Sequence, residues 1–304
     1  MTLTEQQTVT IEAAPEAAVG ENLGIARPLR ADVWRRFKRN KLAMVGLGFI
    51  LFLALVAAFA PLIAPYSITE RDPGQFRQGP SLDHWFGTDN IGRDVFSRVV
   101  YGARVSLRIG FLATLIGTSI GLLLGSAAGF FRGAADTLIM RMTDVILAIP
   151  YIVLAVAIAS VVGRSENSII LILGLTGWTF MARIVRSSFL GLRQLEYVEA
   201  ATALGYSRLR IMFRHMLPNA LQPIIVYATI AIGTAILAEA ALSFLNVGPQ
   251  DPTPAWGLMV ADARGNLANE PYLMFFPAGA IVLTILAFIT VGDGLRDALD
   301  PKLK

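Results

Sequence analysis

Six long apolar runs, separated by polar segments, constrain this chain more than any other feature. They lie at about 42–64, 105–130, 138–162, 168–189, 221–245 and 272–291. An α-helix needs roughly 20 mostly apolar residues to cross the hydrocarbon core of a bilayer. Backbone polar groups find no water there, so segments of this kind must be helical. Only 16% of the residues are charged, against about 25% in soluble domains. The chain therefore reads as an all-α membrane protein with six transmembrane helices.

Orientation follows from the basic residues, which concentrate in cytoplasmic segments. The stretch RPLRADVWRRFKRNK at 27–41 holds seven basic residues and one acid. Leu29, Val33, Trp34 and Phe37 share one helical face, and Arg35, Arg36, Lys38 and Arg39 lie mostly opposite. That is the pattern of an amphipathic helix in the membrane interface; a plain basic flank of the first span is the simpler alternative. Both place the N-terminus inside. The segments at 131–137 and 190–220 and the C-terminal tail are then also inside, carrying Arg132, Arg193, Arg208, Arg210, Arg214, Arg296, Lys302 and Lys304. The outer segment 65–104 is the exception, with five arginines against five acids. An N-in, C-in topology results. The chain divides into a disordered cytoplasmic tail at 1–26, the basic helix at 27–41, a first span with its outer loop at 42–104, a core at 105–296 and a cytoplasmic tail at 297–304. The first 26 residues lack the basic start and early apolar core of a signal peptide.

Composition removes several kinds of chemistry. With no cysteine, the chain has no disulfide scaffold, thiolate nucleophile or Cys-ligated metal. Its two histidines, His84 and His215, are far apart, so no metal site is expected. The four lysines, Lys38, Lys41, Lys302 and Lys304, never follow P-loop spacing, so the chain is not itself an ATPase. The carboxylate pairs Asp89/Asp94 and Asp293/Asp297 have no nucleophile near them in sequence, and no catalytic residue is assigned. The net charge of +4 is accounted for by the inside loops and does not call for nucleic acid.

Within the spans, Gly117, Gly121, Gly125 and Gly129 repeat every four residues. Such a stripe lets two helix backbones approach closely. Pro150 stands near the middle of the third run, where a kink is expected. Glu239 lies in the fifth run, and an acid there faces a partner, the bundle interior or a water-filled path. Two readings stand for it: a border of a translocation path, or an anchor between helices near the outer interface. Asp144 reads as interfacial.

The segment EAATALGYSRLRIMFRHMLPN, Glu199–Asn219, lies on the inside between the fourth and fifth runs. Leu209, Met212, Phe213 and Met216 recur at i, i+3, i+4 and i+7, one apolar face of a helix. Gly205 permits a tight turn before it, and Pro218 is expected to stop the helix before the next span. A short amphipathic helix held by two spans is suited to a groove in another protein.

Glu199-Ala200-Ala201, then Gly205, then Leu217-Pro218 resembles the EAA motif of membrane subunits of ATP-binding-cassette (ABC) importers. His215 stands where that motif usually has isoleucine. The stretches GTDNIGRDVFSRVVYGARVSL (87–107), LSFLNVGPQDPTPAWG (242–257) and GDGLRDALDPKLK (292–304) are similar to the peptide/nickel branch of these permeases. The resemblance implies the type I ABC importer fold and a coupling element, within 190–220, that docks into a cytoplasmic ATPase. Glu199, Ala200, Ala201, Gly205, Met212, Phe213, Leu217 and Pro218 are then its coupling residues. It further implies a bacterial inner-membrane location, a homologous second permease chain forming a heterodimer and two ATPase subunits. ATP and Mg would be carried by those subunits and not by this chain. An extracytoplasmic substrate-binding protein and a di- or oligopeptide cargo complete the expectation. Glutathione, nickel chelates or opine-like solutes remain alternative cargoes. A stand-alone secondary transporter is the reading from a different class. The proline-rich outer loop around Pro249, Pro252, Pro254 and Trp256 either receives the binding protein or closes the outer mouth of the pore.

Overall fold

The computed structural model describes residues 29–300. The tail assigned to 1–26, Arg27, Pro28 and residues 301–304 lie outside the described residues. Within them every regular element is helical: α1 (Leu29–Arg39), α2 (Lys41–Ala58), α3 (Ala60–Ile63), α4 (Val95–Phe131), α5 (Gly133–Ala148), α6 (Tyr151–Val162), α7 (Glu166–Leu192), α8 (Glu196–Ala203), α9 (Arg208–Arg210), a π-helical turn (Ile211–Met216), α10 (Leu217–Phe244), α11 (Trp256–Ala263), a 3₁₀ turn (Arg264–Asn266) and α12 (Tyr272–Leu299).

α4 and α7 form the spine. Glycines 117, 121, 125 and 129 all face α7, and there is no room for side chains between the backbones. A Cβ on Gly117 would lie 3.3 Å from the Gly174 carbonyl oxygen, one on Gly121 2.7 Å from that of Trp178, and one on Gly129 2.9 Å from that of Arg186. Lipid tails are as apolar as leucine, so helices in a membrane associate through close contact of this kind rather than through burial from water.

The same contacts show direction. Residue numbers rise together along both helices, from the Arg108–Glu166 ion pair at 3.3 Å to the bond donated by Arg193 to the Phe130 carbonyl at 2.9 Å. α4 and α7 are therefore parallel. The chain between them must return from one membrane face to the other, and the α5–α6 pair makes that return. The pair is bent by 90° at Ile149-Pro150, so the expected kink is a full break. Counted as one span, it joins five unbroken apolar helices to make six crossings.

The other contacts keep the alternation. α10 runs antiparallel to α12, with Gly233 against Ile285 and Phe288 and Gly292 against Val226 and Ile230. α2 runs antiparallel to α12, with Gly46 against Ala287 and Val291. The start of α2, the end of α12 and the 193–216 connection thus share one face. α1 is fastened to that end of α12: Phe37 is buried against Gly294, and Arg36 donates to the Asp300 carbonyl at 3.0 Å. A cation there also complements the negative end of the α12 dipole.

Two boundaries differ from expectation. α4 begins at Val95 rather than near 105, capped by Asp94, whose carboxylate accepts from the Ser97 N–H at 2.7 Å. Arg98 and Arg104 interrupt the apolar run there and hide the extra turns. Also, α2 ends at Ala58 and Phe59 kinks the chain into the short α3, with Pro61 in its first turn as its fixed φ favours.

Two of the five arginines that count against an outer 65–104 segment, Arg93 and Arg98, are neutralised by carboxylates. Arg93 donates to Asp89 at 2.6 Å and to Asp251 at 3.1 Å, and Arg98 donates to the same Asp251 oxygen at 3.2 Å. Both arginines are buried. Burial alone would raise the Asp251 carboxyl, but Arg93 and then Arg98 hold it below its usual range. Asp262 behaves oppositely: burial pushes it up, Asp251 adds to the rise, and Arg98 and Arg93 only partly counter it. The buried His84–Asp94 contact at 2.9 Å and the Trp256 indole, donating to the Val99 carbonyl at 2.9 Å, complete this outer cap. Asp89 and Asp94 are thus structural.

Candidate functional site

The inner face carries the segment singled out from sequence. α8 is followed by a turn in which Gly205 has φ +76°, a region that only glycine enters without strain. A Cβ there would meet nothing within 4 Å, so this turn stands clear of the rest of the chain. Tyr206 is held back onto the following helix: its ring stacks on His215 with centroids 5.7 Å apart, and the Arg210 guanidinium lies 5.4 Å from it. His215 therefore takes part in shaping the turn.

Pro218 does not stop the helix. Residues 208–244 form one continuous apolar helix, because the π-helical turn at Ile211–Met216 absorbs the proline. The Leu217 N–H reaches back to the Met212 carbonyl, five residues away. One residue later the ladder lacks a donor, since proline has no N–H. Beside it, the Asn219 side-chain amide donates to the His215 carbonyl at 2.7 Å. A wider turn of this kind also shifts the phase of the side chains.

That shift corrects the expected apolar face. Met212 and Met216 turn inward with Ile211, joining Val198, Ala201 and Phe189 in one core cluster. Leu209 is 59% and Phe213 48% exposed. Of the eight residues assigned to coupling, Glu199, Ala200, Gly205, Phe213 and Pro218 are exposed, Leu217 is half-buried, and Ala201 and Met212 are buried. Ala201 and Met212 shape the element from behind. Its outer edge is Leu204, Tyr206, Leu209 and Phe213. Leu204 and Tyr206 were missed because turn residues follow no period; their apolar character beside Gly205 was the available signal. Beside this edge runs a groove of about 780 Å³ lined by Phe130, Phe131, Arg193, Glu199, Tyr206 and Arg208.

A second feature lies in the membrane-spanning part. A cavity of about 620 Å³ opens where the third span breaks. Its walls come from α4, the α5–α6 break with Ile146, Leu147 and Leu154 on either side, α7 and α10. Irregular backbone at membrane depth is tolerated where protein buries it or where it lines a cavity. Pro150 signalled the break; that Thr114, Thr118 and Tyr227 converge on it was not visible along the chain.

Glu239 does not line this cavity; Ala235 and Ala238 on the same helix do. It is fully buried, accepts a bond from the Ser243 hydroxyl at 2.7 Å, and leaves its second oxygen without a partner. On the opposite face of the break, Arg183 donates to Asp144 at 2.8 Å and Arg186 to Asp136 at 2.7 Å, tying the inner end of α7 to α5. Among the described residues no group of His, Asp and Glu is arranged to hold a metal.

Comparison with known proteins gives consistent results. Residues 121–304 match the model of the binding-protein-dependent transport system inner membrane component family, and residues 28–80 match the N-terminal transmembrane domain of oligopeptide transport permease C. The dipeptide transport system permease protein DppC of Alkalihalophilus pseudofirmus is 46% identical over 90% of each chain. The glutathione transport system permease protein GsiD of Escherichia coli is also 46% identical over 90% of each chain. A chain of the MetNI methionine ABC transporter, in an inward-facing conformation, shares the fold with a TM-score of 0.56. At 21% identity, that match covers 67% of this chain and 97% of the other.

Proposed function

The chain belongs to the family of binding-protein-dependent transport system inner membrane components, and from that membership we propose that it imports di- or oligopeptides. It is a membrane-spanning permease subunit of an ABC importer, with the type I fold. ATP would be hydrolysed on two separate cytoplasmic subunits, which also carry the Mg. A homologous second permease chain would complete a heterodimeric core in the bacterial inner membrane. An extracytoplasmic binding protein would deliver the solute to the outer face.

The observation that carries the coupling role is the exposed edge Leu204-Gly205-Tyr206 with Leu209 and Phe213. An apolar edge on a rigid, clear-standing turn is suited to a groove in a partner protein. α8 and the 208–244 helix are packed into one core cluster behind it. A push on the edge is therefore delivered to α10, a wall of the cavity. Closure of the ATPases would in this way bias the spans toward opening outward, the alternating-access scheme of transporters.

Glutathione import is a second reading, supported by relatives of equal identity that carry the two names. The test is uptake of a labelled dipeptide by cells lacking this chain and by the same cells complemented with it. Unlabelled tripeptide, glutathione and nickel serve as competitors. Restored uptake that only peptides block supports peptide import. Restored uptake blocked by glutathione and not by tripeptide moves the cargo to glutathione. Uptake indifferent to the chain refutes the peptide assignment.

A further inference from the structure

We infer that the cavity at the broken third span is a selectivity pocket for an uncharged, apolar side chain of the passing solute. The inference rests on the peptide-import reading and adds a site within this subunit. Three observations carry it. The volume, about 620 Å³, lies in the roughly 300–1,000 Å³ range of small-molecule sites. No Asp, Glu, Lys, Arg or His lines it, so a charged side chain entering would find no counter-charge in a medium that strongly penalises lone charges. Three of the seven hydroxyl side chains on its wall are already spoken for. Thr176, Thr179 and Thr234 donate their hydroxyls to the carbonyls of Ile172, Thr176 and Ala231 on their own helices.

Thr114 differs. Its hydroxyl oxygen is buried and has no hydrogen-bond partner. A buried polar atom left in this state costs free energy that an incoming partner recovers. A peptide carbonyl or N–H beside the lodged side chain would supply that partner. The pocket thus combines an apolar volume with a buried, unpartnered hydroxyl, the chemistry of a side chain together with its own backbone amide. Lipid acyl chains would fill the volume and leave the hydroxyl unmet.

Gly177 offers the test. It lines the cavity, and a Cβ on it would meet nothing within 4 Å. Gly177→Leu and Gly177→Trp thus start from a Cβ in open space and should grow into the pocket. The complete transporter, with its partner permease, ATPases and binding protein, would be reconstituted in proteoliposomes. Uptake of Leu-Leu, Ala-Ala and Asp-Asp would be compared. The Leu-Leu to Ala-Ala ratio should fall about tenfold or more in Gly177→Trp, the discrimination a filled apolar pocket exerts. The Asp-Asp to Ala-Ala ratio should hold. Gly48→Leu, on an exposed position of α2 away from the cavity and with equal space for a Cβ, should leave both ratios unchanged. Thr114→Val keeps the volume, and should raise the KM for Leu-Leu about fivefold and leave that for Asp-Asp unchanged; it gives a reading even if the Gly177 variants do not assemble. Equal loss of all three dipeptides in Gly177→Trp would mark the cavity as a lipid or partner-chain contact and overturn the inference. So would unchanged ratios, or an unchanged KM for Leu-Leu in Thr114→Val. If the wild-type vesicles import none of the dipeptides, the peptide reading fails and this inference with it.

Discussion

Gly121→Ala gives the sharpest test of the α4–α7 spine. The added Cβ would lie 2.6 Å from the Met181 Cβ and 2.7 Å from the Trp178 carbonyl oxygen. Ordinary contact begins near 3.4 Å, so the shortfall is 0.7–0.8 Å. Neither neighbour is the tip of a flexible chain, so the helices themselves must separate. Gly117, Gly125 and Gly129 share the seam, and separation at one loosens the others. Overpacking of this kind costs about 1–3 kcal/mol. Alanine also gains about 0.5–1 kcal/mol over glycine in a helix, which would mask part of the cost. Gly177→Ala on the facing helix supplies the correction, since its Cβ meets nothing within 4 Å. The difference between the variants is the packing cost alone. At about 2–4 °C per kcal/mol for a chain of this order, Gly121→Ala should melt about 2–12 °C below Gly177→Ala in detergent. Equal melting temperatures would refute the claim that backbone contact at the glycine stripe holds the spine.

Four further outcomes are expected. Phe213→Ala should weaken ATPase association about tenfold, as loss of an aromatic anchor does, and leave the permease's melting temperature nearly unchanged; Met212→Ala should destabilise the chain by about 2–5 kcal/mol. Reversal of that pattern in pull-down and melting assays would put the wrong methionine-helix face outward. Gly205→Asp should insert normally yet abolish uptake, because the φ +76° turn costs a non-glycine residue only about 1–2 kcal/mol, while a charged side chain would project from the edge proposed to meet the ATPase; normal uptake refutes it. Arg98→Met should lower stability by about 1–3 kcal/mol, less than a fully enclosed pair would lose, because Asp251 keeps Arg93 as a partner and is 53% exposed to water. Asp262→Asn should stabilise the chain at pH 7. The Asp262 carboxyl is raised by burial and Asp251, so its contribution is fully present below its unfolded pKa and lost as pH rises through the folded one. Asparagine does not ionise, so the advantage should shrink on acidification toward pH 4 in melting curves.

Much of the architecture was legible along the chain because a bilayer accepts so few solutions. Unbonded backbone is intolerable in hydrocarbon, so long apolar runs become helices whatever their neighbours. Glycines four apart share a helix face by geometry, and that face meets α7. Glu199-Ala200-Ala201 and Gly205 marked the inner element for a comparable reason: a tight left-handed turn needs glycine at one place. Periodicity misled where the winding changed. The i, i+3, i+4, i+7 pattern assumes 3.6 residues per turn, and the π-helical turn at Ile211–Met216 put Met212 inside and Leu209 outside.

The amino-acid sequence by itself determined the helices, their number of crossings, the glycine seam and the inner glycine turn, since each depends on local composition or spacing. Only the tertiary structure decided that α4 and α7 run parallel, that Pro150 breaks a span by 90° rather than bending it, and that Arg93 and Arg98 share Asp251 from 158 and 153 residues away. The cavity with its unpartnered Thr114 belongs there too. These features arise from which faces of distant helices meet, and a one-dimensional pattern carries the faces but not their partners.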